Sequence, residues 1–137
     1  MSKNISLSKL KKNIYNNKHL GDRGEEAAVK YLKNSNFIIL QTNYKTKHGE
    51  IDIIAQDVKD YDCICFIEVK TRNSFKKGLP KESVIYSKQK KIINSAIVYL
   101  KKNQIIDKKI RFDVIEVNNT KKGFDINFIK HAFYSHQ

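Results

Sequence analysis

Two short apolar runs in this chain each carry an acid where a hydrophobic residue would be expected. Asp52 stands between Ile51 and Ile53, and Glu68 stands between Ile67 and Val69. Runs of β-branched residues of this length read as strands, whose side chains alternate between two faces. Period two then puts Glu50, Asp52 and Ile54 on one face of the first strand, and Ile64, Phe66, Glu68 and Lys70 on one face of the second. Ile54, Ile64 and Phe66 are apolar, so the face that holds the acids is not a solvated one. Burying one unpaired carboxylate is costly, and a second one nearby raises the cost. Such a pattern calls for a positive side chain or a bound cation.

The rest of the chain reads as one α/β unit built around these two strands. Its 137 residues suffice for a single domain with a sizeable core. A hydrophobic fraction of 40% excludes a disordered chain. Residues 1–20 are rich in Lys and Asn without a clear period and read as a loose basic arm, leaving residues 21–137 as the single folded domain. "GDRGEEAAVKYLKNSN" predicts a helix with Asp22 as N-cap and Glu25, Ala28 and Leu32 on one stripe. "FIILQTNY", "GEIDIIAQ" and "CICFIEVK" predict three strands in an antiparallel meander. "NSFKKGLP", with the only proline, predicts a loop, and residues 82–102 a long helix that buries Ile85, Ile92, Ile93, Ala96 and Leu100. "IRFDVIEV" and "FDINFIKHAF" are two further strands. The order αβββαββ implies a mixed sheet with helices packed against it.

Several classes are excluded by what the sequence lacks. No apolar run approaches the roughly 18 residues of a membrane span, and the polar N-terminus offers no secretory h-region. Cys63 and Cys65 fall on one strand face, a poor geometry for a disulfide. With no matching Cys or His cluster for zinc, they read as reduced core residues of a cytoplasmic protein. Lys and Arg number 27 against 14 acids, a net charge of +13. That excess points to a polyanion partner, nucleic acid above all. It is also what an A/T-rich coding sequence writes through lysine, isoleucine and asparagine codons, so charge alone does not decide.

The embedded acids carry more information. Two carboxylates on neighbouring strands suit Mg²⁺, which takes hard oxygen ligands and fills its remaining positions with water and phosphate. Lys70 lies one pleat period beyond Glu68, about 6–7 Å along the strand, where it could hold or deprotonate a water and offset transition-state charge. The competing reading is a plain Glu–Lys or Asp–Lys salt bridge on a solvated sheet face, which the apolar neighbours count against. Glu25, near a helix start, has an ordinary explanation in the helix dipole. Asp113 reads as a partner for Arg111 or for a backbone group, and Arg72, beyond Lys70, as a phosphate contact.

Taken together, "GEIDIIA…FIEVKTR" resembles the Asp…Glu-x-Lys signature of the restriction-endonuclease-like, PD-(D/E)XK nuclease superfamily, with Ile51 where that label has proline. "GDRGEEAAVKYL", "SKQKKI", "RFDVIEV" and the terminal "HAF" extend the match, and from about Gly21 to Phe133 the chain resembles the YraN family. Those are bacterial proteins similar to archaeal Holliday-junction resolvases. The resemblance implies a restriction-endonuclease-like three-layer α/β/α core with a metal site at one edge of the sheet. It casts Asp52, Glu68 and Glu25 as ligands of Mg²⁺ or Mn²⁺, and Lys70 as the catalytic lysine. Lys47, Arg72, Lys88 and Lys91 become candidates for contact with nucleic acid. The activity implied is metal-dependent cleavage of DNA, with branched or otherwise structured DNA as the expected substrate; a two-fold dimer would suit a four-way junction. The alternatives are a nucleic-acid-binding protein that keeps the fold without turnover, and a protein-interaction scaffold.

Overall fold

The strand signals become a single five-stranded sheet in the order β1-β2-β3-β4-β5. A computed structural model describes residues 6–73 and 84–135. Its elements are α1 (Leu7–Asn34), β1 (Phe37–Thr46), β2 (Gly49–Asp57), β3 (Cys63–Asn73), α2 (Tyr86–Lys102), β4 (Ile110–Thr120) and β5 (Gly123–Phe133). Neighbouring strands run antiparallel except β3 and β4, which are parallel. A parallel pair needs a crossover, and α2 lies within it. One face of the sheet is covered by α1 through Ala28 and Leu32, which pack with Ile53, Cys65, Ile67 and Ile115. The other face is covered by α2 through Ile92, Ala96 and Tyr99, which pack with Ile54, Phe66 and Phe112. This is the expected three-layer α/β/α arrangement with a mixed sheet and the order αβββαββ.

Three local expectations are corrected. The stretch before residue 20 is not a loose arm where it is described, because α1 already begins at Leu7. Its N-cap is Ser6, whose side chain accepts from Lys9 N, so Asp22 lies inside the helix. Lys and Leu are good helix formers and no proline interrupts them. The missing period has its own cause: the side chains from Leu7 to Lys12 are exposed, so no stripe is needed. Second, the boundary expected at residue 20/21 is not a break, since α1 runs through it. Third, Ile85 is the N-cap of α2 and 66% exposed, not part of its buried side. The proline loop expected over residues 73–80 falls, after Asn73, outside the described residues.

Cys63 and Cys65 are buried, free thiols facing α1. Beside them lies an ionic network, in which Arg111 Nη2 alone among the described buried side-chain polar atoms has no hydrogen-bond partner. Arg111, with a side chain 1% exposed, donates from Nε to both oxygens of Asp113 and from Nη1 to Asp57 and Asp60. Asp113 also accepts from His131 N, so the expected Arg111–Asp113 pairing is present and is structural. No helix of the described residues is long and apolar enough to cross a membrane.

One glycine fixes how α1 sits on the sheet. A Cβ on Gly24 would lie 2.0 Å from Thr71 Oγ1 in β3. The helix therefore crosses β3 at a distance only glycine permits, and Glu25 follows immediately. Gly24→Ala gains about 1 kcal/mol of helix propensity but forces an overpacking cost of about 1–3 kcal/mol. We expect a net loss of stability in denaturant unfolding; an unchanged or higher midpoint would contradict the close approach.

Candidate functional site

The site begins where the β2–β3 ladder stops. Backbone pairing runs from Asp57↔Cys63 to Ile53↔Ile67, and Asp52 and Glu68 stand at the next level. There Val69 N donates to Asp52 Oδ2 at 2.8 Å, so a carboxylate takes the place of a ladder carbonyl. The alternation of β2 breaks at the same residue. Ile53 and Ala55 join the core under α1, whereas Ile51 and Ile54 join the core under α2. Strict period two, which put Ile51 and Ile53 on one face, therefore fails at Asp52. β1 bends at the matching level: between the pairs Thr42↔Ile53 and Tyr44↔Ile51, Asn43 has φ of 53°. Asparagine tolerates that left-handed conformation better than most residues. At this level Asp52 reaches β3 through its bond to Val69 N and lines the cleft beside α1.

Glu68 is 5% exposed. Asp52 and Glu68 are close enough to share a proton, and burial followed by the charge of Glu68 pushes the Asp52 carboxyl up to about 8, against the pull of Val69 N–H. Glu25 is also raised, by burial first, then by Glu50 and Asp22, with Glu68 contributing. Asn43, with its amide nitrogen turned towards the acids, donates to Glu50 Oε1 and Glu25 Oε2, both at 3.2 Å. Lys88 Nζ pairs with Glu68 Oε1. Burial opposes its charge, yet Glu68, Asp52 and Glu50 together raise the lysine above its ordinary value.

The expected residues are thus partly assembled. Asp52 and Glu68 form a close pair, and Glu25 acts on both through its charge. Among the described residues no three His, Cys, Asp or Glu side chains converge as metal ligands, so Glu25 does not complete a three-carboxylate set. The Asp52–Glu68 pair still fits a hard divalent ion, which needs only one or two carboxylates beside water and phosphate. Lys70 is half-buried on β3, in register with Glu116 of β4, and Arg72 follows in register with Asn118. Lys47 is exposed in the β1–β2 turn. That turn packs on α2 through Gly49, where an added Cβ would lie 3.3 Å from Lys91 Cβ. Gly49 has φ of 149°, which favours glycine.

Two groups were missed by the sequence reading. Glu116 is 3% exposed and accepts from Asn127 Nδ2 at 2.8 Å. It stands between Ile115 and Val117, the same signal that marked Asp52 and Glu68. Lys30 and Lys33 line a cleft of about 680 Å³ together with Glu25, Thr42, Asn43 and Asp52. Only the packing of α1 against β1 and β2 reveals that.

The fold and site define an α/β protein in which the pairing of β2 with β3 stops at a paired-acid centre beside an open cleft. The family model of the uncharacterised protein family UPF0102 matches residues 24–117. The chain is 49% identical to a UPF0102 protein of Acetivibrio thermocellus over 127 residues, 88% of this chain and 95% of that one. It is 48% identical to a UPF0102 protein of Clostridium botulinum strain Hall over 122 residues, 87% of this chain and 97% of the relative. The chain belongs to the UPF0102 family, the YraN family to which its motifs pointed.

The acid pair sets a pH dependence. Without a divalent ion, the unfolded chain releases the Asp52 proton near 3.8 and the folded chain near 8. Between these values the folded state holds the extra proton, so raising the pH lowers stability. In chelator, parent melting temperatures should fall across this window. Asp52→Asn should remove most of that slope, with Glu25 leaving a remainder. Equal slopes in parent and variant would show that Asp52 titrates normally.

Proposed function

We propose that the protein is a nuclease that hydrolyses phosphodiester bonds in DNA with Mg²⁺ or Mn²⁺, acting on branched or otherwise structured substrates. The observation that carries this reading is the Asp52–Glu68 pair. The chain holds Asp52 against a buried glutamate with a backbone N–H, at a cost that only a cation or a shared proton relieves. Structural carboxylates in the same sheet are treated differently: Asp57 and Asp113 have Arg111 enclosed among them. The resemblance of "GEIDIIA…FIEVKTR" to a nuclease signature supports the same reading, as does the net charge of +13.

In this reading Asp52 and Glu68 hold the ion, with Asp52 Oδ2 fixed by Val69 N–H. When bound, the ion neutralises charge on a phosphate and lowers the pKa of a water. Lys70, one pleat from Glu68, would as an ammonium orient the attacking water and offset negative charge at the phosphorus, or as a neutral amine take the water's proton. Glu25, steadied by Asn43, holds the far side of the site acidic. Lys47, Arg72, Lys88 and Lys91 contact backbone phosphates, which gives affinity and register without base sequence. A dimer would present two such sites to a four-way junction.

Labelled single-stranded, duplex, flap and four-way DNA incubated with Mg²⁺ or Mn²⁺ tests the proposal. The parent should cut at least one substrate, and Asp52→Ala and Glu68→Ala should abolish cutting. Lys70→Met should lower it by about 10²-fold or more while DNA binding changes little. DNA binding by the parent without cleavage of any substrate would favour the non-catalytic binding protein instead.

A further inference from the structure

Lys88 occupies a position that its own helix disfavours. α2 begins at Tyr86, its N-cap Ile85 makes no side-chain cap bond, and its first turn contains no acid. The N-terminal end of a helix carries partial positive charge, so a lysine in the first turn is opposed by the helix. What balances it lies outside the helix. Lys88 Nζ reaches across to Glu68 Oε1 in the middle of β3, just past the last β2–β3 pair. The two partners differ in freedom: the Lys88 side chain is 50% exposed, that of Glu68 only 6%. Lysine carries its charge on a flexible four-carbon stem, and an ion pair with one half-exposed member is weakly held. Glu68 is fixed in the core beside Asp52, whereas Lys88 can leave.

We propose that Lys88 is the built-in counter-cation of the Asp52–Glu68 pair, and that its ammonium and a divalent ion compete for Glu68. This rests on the reading of that pair as a metal site. Without metal, Lys88 supplies part of the positive charge that two adjacent carboxylates require. When a divalent ion enters, Lys88 is displaced but remains beside the site on its stem, where it can meet an incoming phosphate. Competition has a measurable cost: the apparent metal affinity is reduced by the fraction of molecules in which Lys88 occupies Glu68.

Calorimetric titration of Mn²⁺ into the full chain tests this with Lys88→Met, which keeps much of the stem without the charge, and Lys88→Gln as a second neutral variant. Lys90→Met controls for the loss of one positive charge elsewhere on α2, since Lys90 lies over the Tyr86 ring and not on Glu68. Both Lys88 variants should bind Mn²⁺ at least about fivefold more tightly than the parent, with Lys90→Met close to the parent. Mn²⁺ binding by the parent that is unchanged or weakened in both Lys88 variants would overturn the competition and leave the metal site standing. Equal tightening in Lys90→Met would also overturn it, as a general charge effect. No Mn²⁺ binding by any of the proteins would overturn both the competition and the metal site.

Discussion

The hydrogen bond from Val69 N to Asp52 Oδ2 is the interaction on which the site depends. A backbone N–H past the last pair of a ladder must find an acceptor, and here the acceptor is a side chain from the neighbouring strand. That substitution ends the β2–β3 ladder one residue before the acids and shifts Ile51 to the opposite core from Ile53. It also fixes one Asp52 oxygen, so the carboxylate cannot swing away from Glu68. The left-handed Asn43 on β1 and the close crossing of α1 at Gly24 complete the bend and bring Glu25 over it. Burial and the charge of Glu68 both oppose ionisation of Asp52 there, and the proposed chemistry rests on that opposition.

The sheet holds two ionic systems, and their contrast is informative. At one end, Arg111 is enclosed by Asp57, Asp60 and Asp113, with Lys109 on Asp60 and Lys130 on the buried Asp57. Opposite charges face each other there, and the network ties β2, β4 and the β2–β3 turn together. Such a network locks packing and register when its hydrogen bonds are made. At the other end acids face acids. Asp52 is raised by burial and then by Glu68 and Glu25, and a cation that contacts Glu68, Lys88, comes from the exposed start of a helix. One chain thus solves the same electrostatic problem internally at one site and leaves it partly unsolved at the other.

Much of this was legible in the residues. Period-two runs located all five strands, and the two helix stripes gave the layer order, because burial on one face leaves a periodic trace. Asp52 and Glu68 announced themselves by interrupting apolar runs. The parts that were not legible depend on contacts distant in sequence. Lys88 meets Glu68 only because α2 packs back onto the sheet, against β2 and β1, with its first turn within reach of β3. The face switch at Asp52 arises from a bend shared with Asn43, which no alternation rule anticipates. The helical start of α1 left no stripe because an exposed helix has no core to face. Glu116, between Ile115 and Val117, is legible by the same rule as Asp52.

The UPF0102 membership and the fold fix where the acids sit, and the proposed chemistry follows from whether a cation joins them. Crystals of the protein soaked in Mn²⁺, with data collected for anomalous scattering, address that directly. The account predicts an anomalous peak at coordination distance from oxygens of both Asp52 and Glu68, with the Val69 N–Asp52 Oδ2 bond retained. A map without a peak at that pair, or with manganese bound only elsewhere on the surface, would contradict it.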